Sequence, residues 1–149
     1  LGWDRDRARG TPSYTIVLPD TGLAVPPDGS IVFSVADRSE AREEMTDLTV
    51  QVEDGHGNTA SMPLSAAGGL LPMLEGGIVK WPLTSLMPTR EPVFQTFAFR
   101  LSDFGRVNPA FQPERLSRIR LVFDKTAAGS IYLRDVGIRD DVAVSHADE

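Results

Sequence analysis

The chain has no cysteine and only two histidines in 149 residues. Without cysteine there is no disulfide framework, no thiolate zinc site and no cysteine nucleophile, although compartment is not decided by this. The histidines are poorly placed for catalysis: His56 sits in a glycine-rich turn and His146 in a polar tail, so neither lies on an element that would hold an imidazole as base. No Gly-x-Ser-x-Gly elbow, phosphate loop or His-Glu-x-x-His sequence is present. Positive charge is in the minority, 15 Lys and Arg against 21 Asp and Glu for a net −6, and this balance repels phosphate backbones and anionic membranes at long range. Neither nucleic acid nor membrane is expected as a partner. Apolar runs such as Ile31-Val32-Phe33 fall far short of the ~20 residues a membrane helix requires.

The length fits a single domain over residues 1–149, since a chain of this size buries roughly 68–70% of its unfolded surface. It starts at Leu1 with no leader, and the expectation is a piece processed or cut from a larger secreted protein, with ragged ends at about 1–12 and 140–149.

Turn formers are plentiful, with 13 glycines and 11 prolines. Between them run short stretches of alternating apolar and polar residues, the period-2 pattern of strands with one buried face. Tyr14 to Leu18 is the first. Ile31, Phe33 and Val35 face inward on the next, and Leu48, Val50 and Val52 on a third that stops at the hairpin signal Asp54-Gly55-His56-Gly57-Asn58. Its return strand presents Ala60, Met62 and Leu64. Ser65 to Pro92 is a long irregular connection with one short strand near Ile78 to Trp81, and Ser39 to Met45 reads as a charged solvent loop. From Val93 to Leu101, Phe97, Phe99 and Leu101 share one face while Thr96, Ala98 and Arg100 share the other. A helical turn is expected at Pro113 to Leu116. Two closing strands follow: Ile119, Leu121 and Phe123 point inward, then Ile131 and Leu133, before Val136 and Ile138 take over after a one-residue slip at Arg134-Asp135 that predicts a bulge. Many short strands with almost no helix point to an all-β antiparallel β-sandwich, with an up-and-down barrel as the structural alternative.

The stretches Phe99-Arg100-Leu101-Ser102-Asp103-Phe104, Leu116 to Phe123, and Gly129-Ser130-Ile131-Tyr132-Leu133-Arg134-Asp135-Val136-Gly137-Ile138 resemble the closing half of galactose-binding-like jelly rolls, a fold shared by many non-catalytic carbohydrate-binding modules. The resemblance covers roughly residues 93 to 139, more loosely 30 to 64, and Arg134 stands where those modules usually carry an aspartate. It implies a carbohydrate-binding accessory module of a secreted or periplasmic glycan-degrading enzyme, with a polysaccharide or oligosaccharide as partner. It also implies one structural calcium ion, with Asp135 at the matching ligand position and Asp4 and Asp6 within reach if the first and last strands are neighbours.

A pyranose packs its C–H face on an aromatic ring and offers hydroxyls to bidentate polar groups. Trp81, in the irregular connection beside Pro82, is one candidate platform, and Tyr132 is another. Trp3 is expected to pack against the fold or a neighbouring domain. If Lys125 to Gly129 is a simple turn, Val122 opposes Tyr132 and Arg120 opposes Arg134, with Arg100 and Arg118 of the same parity; if the two strands belong to opposite sheets, as consecutive strands of a jelly roll often do, Arg120 and Arg134 never meet. Such an arginine-lined face suits a carboxylated or richly hydroxylated ligand, unless Glu53, Asp47 or Glu114 neutralises it. A lyase built from Arg100, Gln95, Tyr132 and His56 is the catalytic alternative, disfavoured because Gln95 and Arg100 have opposite parity. No enzyme activity is expected. The alternative to carbohydrate binding is a non-binding domain of the same fold that packs against and stabilises an adjacent catalytic domain of the same chain.

Overall fold

The alternating stretches become strands, and their inward residues form one core. The structure is a computed structural model that describes residues 1–19, 25–26, 28–39, 44–75 and 90–140. Strands β1 (Gly2–Asp4), β2 (Ser13–Val17), β3 (Ser30–Asp37), β4 (Thr49–Asp54) and β5 (Thr59–Pro63) are followed by a 3₁₀ turn at Leu64–Ala67. Next come the short strands β6 (Leu74–Glu75) and β7 (Arg90–Glu91), then β8 (Gln95–Arg100), helix α1 (Leu101–Val107) and a 3₁₀ turn at Pro113–Arg115. Strands β9 (Leu116–Val122) and β10 (Ala128–Arg139) close the fold.

Two four-stranded antiparallel sheets face each other, one in the order β1-β10-β3-β8 and the other β2-β9-β4-β5. The expected antiparallel β-sandwich is the observed fold. Ile31, Phe33 and Val35 of β3 meet Phe97 and Phe99 of β8 and Ile131 of β10 on the inner face of the first sheet. Opposite them lie Val50 and Val52 of β4 with Ile119 and Leu121 of β9, all fully or almost fully buried. Rings reinforce this contact, with the Phe33 centroid 5.9 Å from Phe99 and 6.1 Å from Phe97.

Three sequence expectations change. The strand ending at Leu101 stops at Arg100. Leu101 and Phe104, three residues apart, bury together as one face of α1, and Asp103 and Arg106 complement its dipole and pair at 2.9 Å. The region after Ser65 contains the β6–β7 ribbon, while the strand expected at Ile78 to Trp81 lies outside the described residues. The supposedly ragged first residues form β1, because Trp3 buries its ring against Phe123 at 4.4 Å and donates its indole N–H to the Thr126 carbonyl at 3.0 Å. A Cβ at Gly129, its partner across the strands, would lie 2.3 Å from that ring, so only glycine fits there.

The register drawn for the last two strands is also overturned. β9 and β10 never pair, since β9 lies between β2 and β4 and β10 between β1 and β3. Their connection crosses the sandwich, tied to the second sheet by Thr49 Oγ1 donating to Asp124 at 2.7 Å and to the first by the Thr126–Trp3 bond. Leu121 and Leu133 matched in pattern because both face the same core from opposite sides.

Candidate functional site

The outer face of the first sheet carries an aromatic cluster that alternation creates. On β10, Ile131 is buried while Tyr132 and Arg134 point outward, opposite Ala36 and Ser34 of the central strand β3. These small β3 residues leave room for larger neighbours to lie over them. Ala36 is 0% and Ser34 7% exposed although both point away from the core, so their neighbours cover them. Phe94, one residue before β8 and of outward parity with Thr96, brings its ring 6.3 Å from that of Tyr132. The Arg38 guanidinium lies over Tyr132 at 5.2 Å and that of Arg134 over Phe94 at 3.7 Å. Two rings and two cations thus form a continuous patch. Tyr132 keeps 40% of its surface in solvent.

Local backbone features fix this patch. Arg38 donates its backbone N–H to the Ser130 carbonyl at 2.8 Å, which holds the end of β3 against β10. The expected bulge is present: pairing of β10 with β3 shifts between Arg134 and Gly137, and Asp135 takes φ 55°, a left-handed conformation that aspartate tolerates. The inserted residue lets both Leu133 and Val136 pack against the core, which explains the phase slip in the sequence. Beside the patch is an open cleft of about 520 Å³ lined by Arg38, Met73, Arg90, Pro92 and Tyr132, with the β6–β7 ribbon along its border. Gln95 fastens the preceding loop, accepting from the Leu71 N–H at 2.6 Å and donating to the Gly69 carbonyl at 3.1 Å.

The sequence candidates divide between the two layers. Tyr132, Arg134 and Arg100 share the outer face of the first sheet, with Arg100 opposite Ser30 at the far end of β8. Arg120 lies on the outer face of the other sheet, so the expected Arg120–Arg134 opposition does not exist. Its row runs across all four strands: Arg120 donates Nε to Thr15 at 3.2 Å and Nη1 to Gln51 at 2.9 Å, and Gln51 donates onward to Ser61 at 3.3 Å. Glu53 neutralises the face, at 3.6 Å from Arg120 and 2.6 Å from Arg118. Of the three acids weighed for this role, Glu53 performs it. Asp47 instead accepts from Ser65 and the Leu48 N–H. Trp81 lies outside the described residues. Phe94 and Arg38 were absent from the sequence candidates.

The lyase grouping is not assembled. Gln95 is spent on its loop, and His56, in the β4–β5 hairpin of the second sheet, contacts Arg115 at 3.1 Å. The hairpin is organised by Asp54, only 1% exposed. Burial would raise its pKa, but the Asn58 side chain and the backbone N–H groups of Gln112, Asn58 and His56 outweigh this and lower it from 3.8 to about 2.

The three carboxylates considered for calcium do not converge. β1 and β10 are neighbours as required, but Asp4 pairs with Ala128, seven positions before Asp135, and a strand rise of about 3.3 Å per residue puts them ~20 Å apart. Asp4 is engaged by Arg7 at 3.3 Å and the Asp6 N–H, while Asp135 contacts Arg134 at 3.3 Å. Among the described residues no group of three His, Cys, Asp or Glu side chains could hold a metal.

No family model matches the chain, and no curated protein matches it. Among solved structures, the family 30 carbohydrate-binding module of a cellulosomal cellulase of Clostridium thermocellum is similar at a TM-score of 0.56 and 12% identity, over 87% of this chain and 69% of that one. At that identity the likeness is one of fold: the chain is a β-sandwich of the kind found in carbohydrate-binding modules.

Proposed function

We propose that this chain is a non-catalytic carbohydrate-binding module, an accessory part of a secreted glycan-degrading enzyme that keeps the catalytic domain near its polymer by raising effective concentration. The observation that carries the reading is the exposed Tyr132 ring beside Phe94 on a sheet face, flanked by a cleft and guanidinium donors. An aromatic platform supplies dispersion contact for a sugar's C–H face, while planar donors at its rim engage oxygen pairs. The fold likeness to a carbohydrate-binding module supports the same reading.

The test is affinity electrophoresis of the isolated chain through gels containing individual polysaccharides, with Tyr132→Ala and Phe94→Ala alongside. Retardation by at least one polymer, lost in both variants, is expected. Wild-type mobility unchanged in every gel would favour instead the domain that packs against a catalytic neighbour.

A further inference from the structure

We infer that the patch selects anionic polysaccharides, those bearing carboxylate or sulfate groups, over neutral ones. This rests on the carbohydrate-binding reading and names its substrate class. Selectivity turns on which guanidinium edges are already in use. A guanidinium stacked on a ring uses its flat face and leaves its five N–H donors, all in the plane, pointing outward. The Arg38 guanidinium lies 5.2 Å from the Tyr132 centroid, and among the described residues it has no carboxylate partner. Arg134 lies over Phe94 at 3.7 Å, and among the described residues only its Nε is engaged, by the exposed Asp135 at 3.3 Å. No carboxylate among the described residues engages the terminal nitrogens of either, and their fork matches the paired oxygens of a carboxylate or sulfate.

The opposite face shows what a satisfied arginine looks like in this protein. All three nitrogens of Arg120 are engaged, by Thr15, Gln51 and Glu53, and Glu53 already supplies the counter-charge that an anionic ligand would have to displace. Arg90 lines the same cleft as Arg38, with Glu91 its acidic neighbour on β7. Arg100 extends the same sheet face. In a chain of net charge −6, Arg38 and Arg134 meet at one aromatic patch and locally oppose the overall sign. Neutral sugars offer hydroxyls, which a guanidinium binds less strongly than an anionic oxygen pair.

The experiment measures dissociation constants for four soluble probes: polygalacturonate, alginate, a sulfated galactan and a neutral glucomannan, each at 50 and 300 mM salt. Polyanions are expected to bind about tenfold or more tightly than glucomannan at low salt and to weaken as salt rises. Arg38→Gln and Arg134→Gln should each weaken polyanion binding about tenfold while leaving glucomannan binding nearly unchanged, whereas Arg118→Gln on the other face, with the same change in charge, should have no effect. Both arginines are solvent-side, and an unchanged melting temperature confirms that the variants fold. Preference for the uronates or for the sulfated polymer identifies the anion recognised. Equal or tighter binding of glucomannan would overturn the charge selectivity and leave the carbohydrate-binding reading standing. Polyanion binding weakened equally by Arg118→Gln would also overturn it, by showing diffuse attraction only. Binding to none of the probes would overturn the charge selectivity, and the polysaccharide gels would then decide the carbohydrate-binding reading separately.

Discussion

The two outer faces of the sandwich use the same residue type in opposite ways. On the second sheet Arg118 and Arg120 are locked into a row of side-chain bonds and share Glu53, and the face is polar, flat and internally satisfied. On the first sheet Arg38 and Arg134 lie over aromatic rings above a floor of small β3 side chains, and among the described residues only Arg134 Nε meets a carboxylate. Arginine content does not separate the faces. What separates them is whether a carboxylate and hydrogen-bond partners stand opposite in the register, since a saturated network confers structure and an unsaturated one can take a ligand.

The largest expected effect lies at the hairpin end of the second sheet. Asp54→Ala strips a buried acceptor from several N–H donors and is expected to cost about 3 kcal/mol in denaturant unfolding, with binding of the folded protein unchanged. Because the folded-state pKa of Asp54 lies below the ordinary value, its contribution is complete above about pH 4 and is lost as pH falls through about 2. Unfolding midpoints measured across that window should fall more steeply for wild type than for Asp54→Asn. An equal decline in both would remove Asp54 as the cause.

On the first sheet the ranking of stability and binding should reverse. Tyr132→Ala is expected to cost less than about 1 kcal/mol, because the ring is substantially exposed, yet to weaken polysaccharide binding at least ~tenfold. A variant that unfolds easily but binds normally would recast the ring as structural. Glu53→Gln should give the mirror result, a loss of about 1 kcal/mol as two arginines lose their shared counter-charge, with no change in affinity. Smallest of all, Asp135→Asn should alter stability by a few tenths of a kcal/mol and tighten polyanion binding slightly, because it removes the carboxylate that contacts Arg134. Weaker binding in that variant would indicate that Asp135 itself contacts the sugar.

Much of this division could be read in the sequence, and the largest error had a single cause. Alternation reports which face of a strand is buried, so the core positions of β3, β4, β8 and β9 and the outward parity of Tyr132, Arg134 and Arg100 were all legible. Even the bulge showed, as a slip in phase. Alternation does not report which strand lies alongside, however, and Lys125 to Gly129 is short enough to pass for a hairpin turn. Only tertiary bonds from Asp124 and Thr126 reveal it as a crossing between sheets, and the error placed Arg120 beside Arg134. Phe94 escaped because it precedes the strand proper, although continuing the outward parity of Thr96, Ala98 and Arg100 back by one step finds it. Arg38 follows the end of β3, where the period-2 pattern has already stopped. The seven-residue α1 was hidden because Leu101 and Phe104 also satisfy a strand ending in a turn.

The claim that the two faces differ in function can be tested by titrating the isotope-labelled chain with a soluble oligosaccharide of any polymer that retards it, and mapping the amide shifts. Binding on the first sheet predicts changes concentrated at Arg38, Phe94, Tyr132 and Arg134, with Thr15, Gln51, Arg118 and Arg120 unmoved. Changes concentrated on the Arg118 and Arg120 row, or no polymer that binds at all, would contradict the account.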